Sequence, residues 1–166
     1  MPARKRFAGR PVADGLVLAG CLALCLAIGA LGARVTLPAI PVWYAGLVRP
    51  SFTPPDSVFG PVWTVLYVLI AVALWRLIRA PARPARTTAL TLHGFQLVFN
   101  MLWSVAFFGL KLPAVAFVVA TALVVSLAGA LWTGRRADAA ASLILLPYLG
   151  WSLFALVLNG AIVWLN

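Results

Sequence analysis

The chain contains no glutamate, only three aspartates and a single histidine. Asp14, Asp56 and Asp138 fall at the edges of apolar runs or between them, so no carboxylate is embedded where an ion-coupled transporter needs one. A conventional hydrolase is also disfavoured, because no two carboxylates are paired for acid–base work and His93 is the whole imidazole inventory. Cys21 and Cys25 lie one turn apart in one apolar run. That spacing suits neither a disulfide between them nor a zinc site, so they read as small packing residues and no metal site is expected. Charge of either sign is scarce. Only 10% of residues are charged, against about 25% in soluble domains.

What is present in quantity is hydrocarbon. The 166 residues are 64% hydrophobic, with a mean hydropathy of +1.04. Five runs are long enough to cross a bilayer as helices, which takes about 20 residues each: Gly15–Ala33, Ser57–Ile78, Thr88–Leu110, Pro113–Trp132 and Ala139–Leu165. The period-two alternation of a membrane barrel is absent, so the expected fold class is an all-α integral membrane protein. It forms a single domain over residues 1–166, a bundle of five transmembrane helices with one long structured loop, 34–56, between the first two.

The net charge of +10 does not mark a nucleic-acid binder, because the basic residues sit at the ends of apolar runs rather than in one patch. Counted by side, Arg4, Lys5, Arg6, Arg10, Arg76, Arg79, Arg83, Arg86, Arg135 and Arg136 oppose only Arg34, Arg49 and Lys111. In a bacterial inner membrane this bias sets the N-terminus in the cytoplasm, with the long loop and the C-terminus outside. The first run is too long for a signal-peptide h-region and reads as a helix. Its small residues Gly15, Ala19, Ala23 and Ala27 recur at every fourth position, a spacing that permits close helix contact or arises by chance in an Ala-rich run.

Polar residues inside the runs fall on single faces. In "HGFQLVFNMLWS" the residues His93, Gln96, Asn100, Trp103 and Ser104 share an arc of roughly 100°. In "PYLGWSLFALVLN" Tyr148, Trp151, Ser152, Ala155 and Asn159 do the same, and Trp63 and Tyr67 lie one turn apart in the second run. Such groups face the bundle interior. They serve either as interhelical glue or as the few orienting polar groups of an aromatic pocket for a flat apolar ligand. A lone intramembrane histidine such as His93 more often bonds a neighbouring helix than ligates a haem iron. Trp43, Trp132 and Trp164 lie near run ends, where an interfacial belt accounts for them.

Three blocks resemble a known family. They are "WYAGLVRPSFTPPDSVFGPVWTVLY" (Trp43–Tyr67), "QLVFNMLWSVAFFGLK" (Gln96–Lys111) and "LPYLGWSLFALVLN" (Leu146–Asn159). The chain is similar over essentially its whole length to the TspO/MBR family of translocator and tryptophan-rich sensory proteins, formerly called the peripheral benzodiazepine receptor. The resemblance implies a homodimeric five-helix bundle whose first loop closes a pocket for porphyrins such as protoporphyrin IX or other hydrophobic small molecules. It implies no required cofactor, porphyrin being a ligand, and no nucleic-acid partner; the lipid bilayer is the setting.

The same resemblance places Tyr44, Trp63, Asn100, Trp103, Trp151 and Ala155 at the ligand site, the polar and aromatic faces add Tyr67, Gln96 and Tyr148, and Trp43, Phe52, Pro54 and Pro55 belong to the lid. It gives Trp63 and Trp151 a catalytic part only if porphyrin is degraded in a light- and oxygen-dependent reaction. The implied roles are tetrapyrrole handling or transport and oxidative-stress signalling, with facilitated passage of a hydrophobic solute as an alternative. Two departures stand out. Phe52 occupies a position where many members carry Trp, and "GAIVWLN" after Asn159 lacks the Tyr and Arg of the animal cholesterol motif.

Overall fold

A computed structural model describes residues 11–166. Arg4, Lys5, Arg6 and Arg10, which carry much of the orientation count, lie outside the described residues. Helix α1 spans Pro11–Thr36, α2 Asp56–Arg79, α3 Pro84–Ser104 and α4 Pro113–Ala137. The last apolar run divides into α5, Ala139–Ile144, and α6, Leu146–Leu165. Among the described residues, five helical segments are long and apolar enough to cross a membrane, α5 and α6 counting as one. Among the described residues there is no strand.

The helix boundaries follow from local chemistry. Pro84 and Pro113 open α3 and α4, where a missing N–H costs nothing. Asp138 caps α5 by accepting a hydrogen bond from the Ala141 N–H at 3.1 Å. Pro147, in the first turn of α6, can neither donate to a continuous ladder nor clear the preceding carbonyls, which accounts for the break at Leu145. Past Ser104 the α3 helix widens into a π-type turn, Val105–Gly109, in which the Leu110 N–H reaches back to the Val105 carbonyl at 2.8 Å. Lys111, at φ 58°, then takes a left-handed conformation to turn the chain into α4.

The spans pack as a ring in the order first, second, fifth, fourth, third, closed by α1 against α3. The core is made by Cys21 and Cys25 of α1, Leu66, Ile70 and Ala73 of α2, Leu97 of α3, and Leu123 and Leu127 of α4, closed by Leu145. Large apolar side chains such as Leu16, Val65, Val118, Val125 and Val157 point outward. In water that would be an aggregation surface; in lipid it carries no penalty. The three aspartates each hold an arginine: Asp14 with Arg79 at 2.9 Å, Asp138 with Arg76 at 3.0 Å and Asp56 with Arg49 at 3.3 Å. Two of these pairs tie helices together at the end of the bundle opposite the long loop.

The face of α1 that packs is not the small-residue stripe of the sequence. Gly15, Ala19, Ala23 and Ala27 are exposed, whereas Cys21, Cys25 and Gly32 are buried. The stripe is rotated away because sulfur and glycine, rather than alanine, fit the closest approach to α2 and α3. Trp132 and Trp164 are exposed near helix ends, as belt residues are. Trp43 is not one of them, since its ring packs edge-on against Phe107 at 5.4 Å between centroids.

Gly134 tests the packing away from the loop. A Cβ there would lie 2.8 Å from the Ser142 hydroxyl oxygen, which already donates to the Leu131 carbonyl at 3.0 Å. Gly134→Ala is expected to lose about 1–3 kcal/mol through overpacking, whereas Gly20→Ala, with open space around it, loses none. Thermal unfolding of both variants in detergent checks this, and equal midpoints would contradict the packing described.

Candidate functional site

A cavity of about 620 Å³ fills the loop end of the ring. Its walls come from α1, the first loop, α2, the end of α3 and α6, and they are mostly apolar and aromatic. Small residues on α1 make the room. A Cβ on Gly29 would meet the Tyr67 ring at 2.6 Å, and one on Gly32 would meet the Ser104 hydroxyl at 3.3 Å. Phe59, Trp63 and Tyr67 descend α2, while Trp151 and Ala155 face them from α6. Phe107 and Phe108 reach the cavity together because the π-type turn brings successive side chains toward one side. Leu26, Ala30 and Ala33 of α1 and Gly60 and Thr64 of α2 line the cavity while being exposed themselves. The open side therefore lies between α1 and α2.

Two hydrogen-bond chains brace these walls. The Tyr67 hydroxyl donates to the Asn100 carbonyl oxygen, and the Asn100 amide donates to the Tyr148 oxygen at 2.9 Å. Tyr148 in turn donates to the Gln96 carbonyl oxygen at 2.8 Å. A second chain runs from the Trp103 indole N–H to Asn159 at 3.0 Å, and from the Asn159 amide to the Pro113 carbonyl at 2.9 Å. The first chain locks α2, α3 and α6 at the cavity floor; the second locks α3, α6 and the start of α4.

Aromatic packing continues the walls. Trp63 lies 5.7 Å from Tyr67 and 6.2 Å from Tyr148, and Trp151 lies 5.7 Å from Phe59, between ring centroids. The Trp151 indole N–H is buried and has no hydrogen-bond partner among the described residues.

Of the residues selected from sequence, Tyr44, Trp63, Tyr67, Asn100, Trp103, Trp151 and Ala155 line this cavity together. Gln96 and Tyr148 do not. They are fully buried behind the floor, where they complete the first hydrogen-bond chain. The polar faces thus divide by depth: Asn100, Trp103 and Asn159 border the cavity while also joining helices, whereas Gln96 and Tyr148 only join helices. His93 lies outside the cavity, fully buried, and neither ring nitrogen bonds another helix among the described residues. Those residues also hold no cluster of three or more His, Cys, Asp or Glu side chains suited to a metal.

The lid residues also divide. Tyr44 is buried beneath the loop, and its burial pushes the phenol pKa above the ordinary range against the pull of Arg49. Leu37 and Ile40 join it over the cavity. Trp43 packs on Phe107 and Phe108 outside the cavity lining. Phe52 sits over Phe154 at 6.4 Å, half exposed, and Pro54 and Pro55 border a separate outer cleft. The α1 wall went unseen in the sequence. Its only signal was the glycine pair Gly29 and Gly32, hidden in a run where small residues are everywhere.

A sequence model described as the TspO/MBR family matches residues 21–165. The chain is 41% identical to the tryptophan-rich protein TspO of Archaeoglobus fulgidus over 154 residues, covering 91% of this chain and 97% of that protein. It is 36% identical to the tryptophan-rich protein TspO of Chlorobaculum tepidum over 152 residues, covering 91% and 96%. The translocator protein of Homo sapiens is 36% identical over 122 residues, 70% of each chain.

Asn100 is the junction of the floor. Asn100→Leu leaves the Tyr67 hydroxyl without its acceptor and the Tyr148 oxygen without its donor, an expected loss of about 1–3 kcal/mol. Tyr67→Phe should cost less, and the double variant should fall short of the sum. Unfolding midpoints of the three variants in detergent give the coupling; strict additivity would mean that the chain contributes nothing.

Proposed function

The chain belongs to the TspO/MBR family, whose five spanning helices make it an integral multi-pass membrane protein, and from that premise we propose that it binds a flat, apolar ligand of the porphyrin class beneath its first loop. One observation carries the reading. Trp63 of α2 and Trp151 of α6 border one cavity whose other walls are mostly apolar or aromatic. Indole faces stack on extended π-systems, and a few fixed polar groups orient a ligand that apolar walls hold. Its volume, about 620 Å³, sits within the roughly 300–1,000 Å³ usual for small-molecule sites. Thr36, Asn100 and Ser104 place polar side chains among the lining residues, where they can orient a ligand.

In this reading porphyrin is a ligand and no resident cofactor is needed. The protein serves tetrapyrrole handling or transport and oxidative-stress signalling, as a homodimer in a bilayer. The loop end faces away from the cytoplasm if the host is a bacterial inner membrane, following the excess of Arg and Lys at the other end. The pairing of Trp63 and Trp151 on one cavity also favours a second reading, in which illuminated porphyrin is degraded with oxygen beside the two indoles. The names of the relatives, tryptophan-rich protein and translocator protein, favour neither reading over the other.

Tryptophan-fluorescence quenching by protoporphyrin IX in detergent separates these outcomes. Saturable quenching in the dark is expected, weakened about 3- to 10-fold in Trp151→Phe through loss of indole stacking. Quenching indifferent to Trp151 would send the ligand elsewhere. A new product absorbance that appears only under illumination, and is lost in Trp151→Phe, would establish the degrading activity.

A further inference from the structure

Beside the main cavity, on the first loop and the start of α2, lies a second cleft of about 410 Å³, bounded by Arg49, Pro50, Thr53, Pro54, Pro55 and Asp56. The two volumes share Asp56 as a common wall. We propose that this outer cleft is an anion subsite, in which Arg49 receives a carboxylate carried on the edge of the flat ligand whose apolar body fills the cavity. The proposal rests on the reading of the cavity as a site for flat apolar ligands and adds the chemical class of their polar end.

The position of Arg49 favours this use. Its guanidinium carbon lies 5.2 Å from the centre of the Tyr44 ring, and Tyr44 is itself a wall of the inner cavity. Arg49 therefore rests on the outer side of that wall, beside Asp56, which borders both volumes. Its backbone is well held: the neighbouring Val48 donates to the Asn166 side-chain oxygen at 3.0 Å and accepts from the Asn166 amide at 3.0 Å. The side chain is held less firmly. Its single bond to Asp56 is 3.3 Å long, with 35% and 43% of the two side chains exposed. A charge-assisted N–H···O contact of full strength is shorter, about 2.7–2.9 Å, and often bidentate. Asp56 is thus a loose counter-ion that an incoming carboxylate can replace.

The rest of the cleft leaves recognition to Arg49. Pro50, Pro54 and Pro55 have no N–H to donate. Thr53 spends both its N–H and its hydroxyl on the Pro50 carbonyl, at 3.0 and 2.7 Å, and the Val58 N–H goes to the Pro55 carbonyl at 2.9 Å. The inner cavity, by contrast, is lined by no cationic side chain among the described residues. A carboxylate buried there would lose its hydration without a counter-charge, so an acidic ligand is oriented with its acid outward. Asp56, facing both volumes, repels that acid until Arg49 changes partner.

The test compares protoporphyrin IX with its dimethyl ester in dark quenching titrations, in a neutral detergent free of anionic lipid. Wild type is expected to bind the acid about tenfold more tightly than the ester, the effect of one charge-assisted pair. Arg49→Gln should abolish that preference and leave ester affinity within about twofold, since the apolar contacts remain. Asp56→Asn should strengthen acid binding alone, by removing competitor and repulsion together. Arg34→Gln and Lys111→Gln control for general attraction by a cationic protein and should leave the preference intact. Equal binding of acid and ester by wild type, or a preference that survives Arg49→Gln, overturns the subsite while leaving the cavity reading standing. Absence of saturable quenching by either form overturns both. Repeating the titration with phosphatidylglycerol added separates the sources of anion. Weakened acid binding with unchanged ester binding shows the headgroup competing for Arg49 and supports the subsite, and equal weakening of both forms counts against it.

Discussion

A hydrocarbon solvent offers no hydrogen bonds, so every polar side chain set among these helices must find its partner in another helix or remain unpaired. The chain from Tyr67 through Asn100 and Tyr148 to Gln96 is the main answer to that constraint. It fixes α2, α3 and α6 to one another at one depth. Below that depth, toward the end away from the loop, Cys25, Ile70, Leu97 and Leu127 pack together in the core. Above it, glycine on α1 and alanine on α6 replace bulk, and the helices stay apart. The cavity is what remains when a rigid polar floor is set beneath walls that lack the volume to close over it.

The first loop completes the enclosure from above by a different means. A loop over an apolar cavity must present an apolar underside while satisfying its own backbone. Leu37, Ile40 and Tyr44 supply the underside, and short turns satisfy part of the backbone, such as the Trp43 N–H on the Ala39 carbonyl at 3.0 Å. Four prolines between residues 43 and 63 reduce the freedom that ordering the segment would otherwise cost. The Asn166 side chain then clasps Val48 from the far end of the chain, so loop and α6 are held together. The aromatic, proline-rich segment is therefore a roof with one edge on α3, through Trp43 on Phe107, and another on α6, through Phe52 on Phe154.

Much of this was legible in the residues. The five spans follow from hydropathy and length, and the inward faces of the third and fifth follow from helical periodicity applied to a handful of polar groups. That arithmetic brought Asn100, Trp103, Trp151 and Ala155 toward one place, and they do border one cavity. Depth along a helix was harder to read. Gln96 and Asn100 share a face of α3 and both bond Tyr148, yet only Asn100, one turn nearer the loop, borders open volume. Periodicity gives direction around an axis and says nothing of what stands across from it.

The same limit hid the contribution of α1. Its composition is nearly uniform in size and polarity, so no rotation of the helix was favoured by pattern, and the Gly15, Ala19, Ala23, Ala27 stripe looked as suitable as any other. The choice is made by shape instead. Tyr67 must lie flat to reach Asn100, and only a residue without a Cβ tolerates its ring at 2.6 Å, which sets Gly29 toward α2. Once Gly29 is set, Cys25 and Gly32 follow it inward and the alanine stripe turns out to lipid. The orientation of the least polar helix thus depends on a hydrogen bond made by its neighbour, and the cavity wall that α1 provides is a consequence of the floor.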